Sequence, residues 1–226
     1  MKLLPRPSPN FDERNAEIDM IILHYTGMQS GEAAIERLCD PETKVSAHYV
    51  VEENGDVYQL VDEASRAWHA GVSFWRGQHH LNANSIGIEI VNPGHELGYR
   101  EFTTAQYDSL LELCAGIKEE YNIPNINIIA HSDCAPERKE DPGELFNWKL
   151  LAEKGLGLWP KTISEYDAFR YLEDNKTIPS LITLGYEQHN QKSIIAFQRH
   201  WRQHKVDGIW DDECQQNLTY LLMNIK

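Results

Sequence analysis

Met20-Ile21-Ile22-Leu23 is an unbroken apolar run that ends on His24, and Ile126-Asn127-Ile128-Ile129-Ala130 is a second short buried-type run that ends on His131. Apolarity without alternation suits a strand covered on both faces, the pattern of parallel sheets inside α/β layers. If the two strands lie parallel and adjacent, both imidazoles project from the carboxyl edge of the sheet, where open α/β sheets place ligands. The second run opens into HSDCAPERKEDPG, residues 131–143, a loop stiffened by Pro136, Pro142 and Gly143 and dense in acids. A loop with a purely structural task needs no such chemistry.

The remaining elements fit around these strands. Ser30 can cap a short helix running to Cys39, with Ala34, Ile35 and Leu38 inward. His48-Tyr49-Val50-Val51 and Val57-Tyr58-Gln59-Leu60-Val61 flank Asn54-Gly55, a strong hairpin signal. Residues 62–84 carry Trp, His, Gly and Asn without periodicity and read as a long functional loop. In Ser85-Ile86-Gly87-Ile88-Glu89-Ile90-Val91 the isoleucines share one face, and Gly87, Glu89 and Val91 the other. A helix from Thr104 to Tyr121 has a capping box in Thr103 and Gln106 and a stripe of Tyr107, Leu110, Leu111, Cys114, Ile117 and Tyr121. Trp148 to Lys154 makes a short helix stopped by Gly155.

This order gives an α/β domain, a mixed central sheet flanked by helices, over residues 1–160. Residues 161–226 change character and read as helices near 164–174, 191–204 and 212–223, a small three-helix domain. Within it, His200 and His204 at i, i+4 fall on what reads as a wet polar face.

With 35 acids against 21 bases the formal charge is −14. That disfavours nucleic acid, which needs a basic face to displace counterions. Cys39, Cys114, Cys134 and Cys214 form no CxxC pair and read as free thiols. A secretory signal needs an apolar core of about 7–15 residues, which MKLLPRPSPNFDERN lacks. No run approaches the ~20 apolar residues of a transmembrane segment. The sequence therefore reads as cytoplasmic, with a periplasmic or outer-membrane-associated placement the alternative if a signal was removed.

The paired histidines ask for a third metal ligand from the loop after His131. Asp133, Cys134, Glu137, Glu140 and Asp141 are the candidates. Asp133 and Cys134 stand so close to His131 that the chain can hardly wrap them round one ion. Asp141 has Pro142-Gly143 behind it to turn the backbone. A His, His, Asp set leaves one tetrahedral position for water, as catalytic zinc requires. Glu89, mid-strand between isoleucines, is the candidate acid/base if its face borders a polar cleft. Lys139 is the candidate to hold a developing oxyanion.

These residues fall in motifs with a familiar order: ILHYTG, SAHYVVEENGDVYQLV, AWHAG, NANSIGIEIVNPG and HSDCAPERKEDPG, between Ile18 and Pro160. In them the chain resembles the type 2 N-acetylmuramoyl-L-alanine amidases, the group of AmpD- and AmiD-type enzymes, whose fold peptidoglycan recognition proteins share. The resemblance implies one Zn2+ per chain on His24, His131 and Asp141, with Glu89 and Lys139 catalytic. It implies hydrolysis of the amide joining N-acetylmuramic or 1,6-anhydro-N-acetylmuramic acid to L-alanine of the peptidoglycan stem peptide. The partners implied are anhydromuropeptides and, more weakly, intact peptidoglycan. It also implies that Trp68, His69, Ala70, Gly71 and Asn84 line a substrate groove, with His48 nearby. Phage members carry a tyrosine before that histidine; Ala47 stands here, so no such role carries over.

The tail, through Ile195-Ala196-Phe197-Gln198 and Val206-Asp207-Gly208, resembles a three-helix peptidoglycan-binding module. Asp211 is expected to cap its last helix. The rival reading is a muropeptide sensor that kept the fold and lost catalysis; it is disfavoured because such relatives typically lose a ligand, and none is missing here.

Overall fold

The computed structural model describes residues 3–164, 168, 171, 173 and 179–225, so the helix expected at 164–174 lies largely outside the described residues. The strands are β1 (Leu3–Pro5), β2 (Phe11–Glu13), β3 (Met20–Tyr25), β4 (Tyr49–Val51), β5 (Val57–Gln59), β6 (Ser65–Ala67), β7 (Phe74–Trp75), β8 (Gln78–His79), β9 (Ser85–Ile90) and β10 (Ile128–Ala130). The helices are α1 (Gly31–Cys39), α2 (Gly94–Leu97), α3 (Thr104–Tyr121), α4 (His131–Cys134), α5 (Trp148–Glu153), α6 (Leu181–Leu184), α7 (Gln191–Trp201) and α8 (Asp212–Asn224). Six strands form the central sheet in the order β1-β5-β4-β9-β3-β10. Only the β4–β5 hairpin is antiparallel, so the sheet is mixed, as the sequence suggested.

Alternation along the central strands sorts the core into two layers. Ile21, Leu23, Ile86, Ile88, Ile90 and Ile128 pack against Tyr107, Leu110, Cys114 and Ile117 of α3. That helix starts on the expected capping box, Thr103 Oγ1 accepting from Gln106 N and Gln106 Oε1 from Thr103 N. Leu113 is buried, while Leu111 and Tyr121 stay half-buried at the margin of the stripe.

Met20, Ile22 and Ile129 face the other way, into a cluster with Trp75, Leu81, Leu181, Leu184, Phe197, Trp201, Leu218 and Leu221. The helices after residue 179 are therefore the layer that covers the second face of the sheet. Full burial of each such side chain contributes roughly 1.5–3 kcal/mol. The Phe-Gln and Val-Asp-Gly pieces of the tail work together. Gln198 Oε1 accepts from the backbone N–H of Asp207 and Gly208, and Gln198 Nε2 donates to Ile209 O. Asp211 caps α8 by accepting from Cys214 N.

Several expectations need correction. Residues 62–84 are not one irregular loop: β6 pairs with β2, and β7–β8 is a hairpin turning through Arg76 and Gly77 at φ 49° and 84°. Strands of two or three residues are too short for alternation to show. The proline-rich start contains β1, which lies on the sheet edge where Pro5 costs no ladder bond. His200 and His204 share no face, because α7 ends at Trp201; His200 is buried and His204 is exposed beside Glu213. Trp75 is core, its indole N–H donating to Ile126 O. All four cysteines are free. Among the described residues no helix is long and apolar enough to cross a membrane.

Candidate metal centre

Register builds the site. On the adjacent parallel strands β3 and β9, His24 stands directly opposite Glu89. Leu23 pairs with Ala130, so His131, the first residue of α4, begins one step beyond the end of β10. The three residues lie abreast at the carboxyl edge, where strand ends leave side chains free to meet a ligand. The loop of residues 131–143 then folds back, Ser132 N donating to Asp141 O, and delivers the Asp141 carboxylate to the same spot.

His24 Nδ1, His131 Nδ1 and Asp141 Oδ2 lie 2.9–3.0 Å from one another, and all three residues are buried. Their outward contacts fix which nitrogen carries each proton. His131 Nε2 lies 3.1 Å from Ala70 O, which can only accept, and 3.3 Å from Arg138 Nη2; protonated at Nε2, the ring donates to Ala70 O and Nδ1 keeps its lone pair. Leu81 O likewise accepts from Ser85 Oγ, which accepts from His69 Nε2 at 3.3 Å; His69 Nδ1 then accepts from His24 Nε2 at 3.0 Å. His24 Nδ1 is left with its lone pair turned inward.

Two lone pairs and a carboxylate oxygen at this spacing repel one another unless a cation shares them. The donor set, with each imidazole anchored through its far nitrogen, therefore fits a divalent metal such as zinc. Burial, and then His131, pushes His24 down to about 4. Burial raises the Asp141 carboxyl, and positive charge or N–H donation from the imidazoles, His131 foremost, lowers it below the usual carboxylate range; on neutral imidazoles a shared cation would exert the same pull.

Glu89 and Lys139 line the same cavity, about 780 Å³ in volume, as do Trp68 and His69. Burial, and then the charge of Asp141, holds the Glu89 carboxyl well above its ordinary range, with Lys139 opposing the shift. Its Oε2 is shut off from solvent and has no hydrogen-bond partner.

Of the other residues expected in the groove, His48, Ala70 and Asn84 are buried and Gly71 is exposed, and none of the four lines the cavity. His48 is fully buried, its Nδ1 accepting from Gly87 N at 3.0 Å, and it does not line the cavity. Ala70 is buried, supplying the carbonyl that anchors His131, and Gly71 sits at φ 59° beside Arg138. Asn84 is buried and donates to Asp19 and Gln78. The three buried residues lie behind the cavity wall. The structure adds lining residues that spacing did not single out: Arg138, which donates to Val72 O, and Lys192, Ile195 and Arg199 of α7. The last three recur at i, i+3 and i+7, a helix-face pattern that was available in the sequence.

Gly87 is part of the same design, because a Cβ there would lie 2.3 Å from His69 Cγ. Gly87→Ala is expected to displace the ring that anchors His24. Overpacking of this kind costs about 1–3 kcal/mol, or a Tm lowered by about 2–12 °C in a chain of this size, with metal lost faster on dialysis. A wild-type Tm and metal content would remove His69 from the design.

A mixed sheet carrying converging His, His and Asp donors at its carboxyl edge defines a metal-dependent hydrolase architecture. The chain belongs to the N-acetylmuramoyl-L-alanine amidase family, whose model matches residues 14–144. It is 36% identical over 230 residues to the N-acetylmuramoyl-L-alanine amidase AmiD of Escherichia coli (strain K12), covering 91% of this chain and 82% of that protein. It is also 36% identical over 162 residues to the 1,6-anhydro-N-acetylmuramyl-L-alanine amidase AmpD of Haemophilus influenzae, covering 63% of this chain and 86% of that one. The structure of E. coli AmiD with the substrate anhydro-N-acetylmuramic acid-L-Ala-D-gamma-Glu-L-Lys superposes with a TM-score of 0.78 at 32% identity, covering 95% of this chain and 97% of that one. AmpDh3 from Pseudomonas aeruginosa gives the same TM-score at 30% identity, covering 90% of this chain and 91% of that one.

Proposed function

We propose that this chain is a zinc amidase that hydrolyses the bond between N-acetylmuramic acid, or its 1,6-anhydro form, and L-alanine of the stem peptide. The observation that carries the reading is Glu89: a buried carboxylate oxygen without a partner, in the same cavity as three converging metal donors. His24, His131 and Asp141 would hold the ion. When bound, zinc supplies Lewis acidity, which brings a water near neutral pKa and polarises an amide carbonyl.

The protein's own groups manage the protons. Glu89 removes a proton from the attacking water as the new C–O bond forms. It returns that proton to the amide nitrogen as the C–N bond breaks, freeing the peptide amine. A carboxyl whose pKa is held above its ordinary range by burial suits both halves of that transfer. The Lys139 ammonium faces the negative charge that develops on the carbonyl oxygen. We assign hydrolysis to residues 1–160 and, in the tail domain of residues 161–226, read the helices after residue 179 as the layer that supports them.

The test follows release of free stem peptide from purified anhydromuropeptide by the full chain. Chelated protein is expected to lose turnover and regain it on refilling with zinc. Full activity in demonstrably metal-free protein would rule out the metal-dependent reading. A parallel assay on intact peptidoglycan sets the reach of the activity.

A further inference from the structure

Asp133 stands two residues after His131, is fully buried and takes no part in the metal donor set. Its carboxylate is nonetheless saturated. Oδ1 accepts from Tyr186 Oη at 2.6 Å; Oδ2 accepts from His200 Nδ1 at 2.6 Å and from Ala130 N at 2.9 Å. The bond from the backbone N–H of Ala130, the residue that caps α4, ties the carboxylate to the start of that turn. That turn carries His131 and, through Ser132 N, holds Asp141 O. Two of the three metal donors therefore hang on one short turn. It is braced by side chains 53 and 67 residues downstream.

His200 is built for this contact. Its ring is sandwiched between Trp148 at 3.8 Å and 24° and Trp201 at 3.7 Å and 7°. Facing a carboxylate, Nδ1 carries a proton; burial lowers the ring's pKa, with Asp133 opposing that shift. Nε2 is buried with no partner. Leaving a buried polar atom unpaired is a cost, so the ring's polar role is its single bond to Asp133.

We propose that Tyr186 and His200 are positioning residues for the metal centre: by gripping Asp133 they fix the turn that presents His131 and Asp141. The catalytic site is thereby completed by the segment after residue 179. The inference rests on reading His24, His131 and Asp141 as metal ligands.

The experiment uses the full chain and three variants, Tyr186→Phe, His200→Phe and His200→Asn. The readouts are zinc affinity by chelator competition, the visible spectrum of the cobalt-loaded protein and the Tm of the metal-free protein. Tyr186→Phe and His200→Phe are each expected to weaken zinc binding by about 10–100-fold, the usual effect of losing a group that orients a ligand, and to shift the cobalt bands. His200→Asn, whose amide N–H can occupy the Nδ1 position, is expected to recover most of the affinity. Wild-type affinity and cobalt spectrum in both phenylalanine variants would overturn the proposal, and so would a lowered Tm with unchanged affinity. Tyr186→Phe removes only a hydroxyl, so it decides the matter if His200→Phe does not fold. A wild-type chain that takes up no metal would instead overturn the ligand reading itself.

Discussion

Replacing Glu89 by glutamine should reduce kcat by about 10²–10⁴-fold, the span general acid–base catalysis supplies, with zinc content unchanged. The change keeps the side chain's shape on β9, where Ile88 and Ile90 face the α3 layer and hold the strand in register. It removes the buried carboxyl group assigned to take and return the proton. The carboxylate is also a burden on folding, since its buried Oε2 is unpaired. Tm should therefore hold steady or rise in Glu89→Gln even as turnover collapses, as expected where an active site retains a destabilising group for function. Turnover, zinc by atomic absorption and thermal unfolding measure the three quantities. A variant within tenfold of wild-type kcat would remove Glu89 from the chemistry.

The second large effect is expected at Asp141. Zinc binding to a four-ligand site is worth roughly 10–16 kcal/mol in total. One ligand's share corresponds to about 10²–10³-fold in affinity, so Asp141→Ala should weaken zinc binding by that factor and lose turnover with it. The loss follows from the geometry: the two Nδ1 lone pairs, 2.9 Å apart, would face each other without the carboxylate that closes the triangle. Competition against a chromophoric chelator gives the affinity. An Asp141→Ala chain with an unweakened zinc site would show that the carboxylate is a bystander.

Much of this was legible in the sequence, and the reasons are specific. His24 and His131 stood out because each ends an apolar strand, and adjacent parallel strands bring such ends together. Glu89 was readable because its flanking isoleucines fix which face it occupies. The Asn54-Gly55 hairpin and the Thr103–Gln106 capping box are local devices, and both formed as their spacing implied. Contacts made over long separations were hidden. Nothing near His200 reveals that its helix stops at Trp201 or that Asp133 meets it. His48, Ala70 and Asn84 sit in a groove-lining motif yet face downward, a matter of local backbone direction that one sequence does not display. Helices were expected at 191–204 and 212–223, where α7 and α8 formed, but α6 was not, nor was it visible that a sheet face was waiting for them.

The pairing of His24 with Glu89 across β3 and β9 has a consequence for refolding work. A one-residue slip between these strands would turn one side chain to the opposite face, and a two-residue slip would carry the pair more than 6 Å apart. Misregistered molecules can keep native-like secondary structure and still contain no assembled centre. Recovered turnover therefore counts only chains whose strands have zipped correctly, a discrimination that circular dichroism does not make.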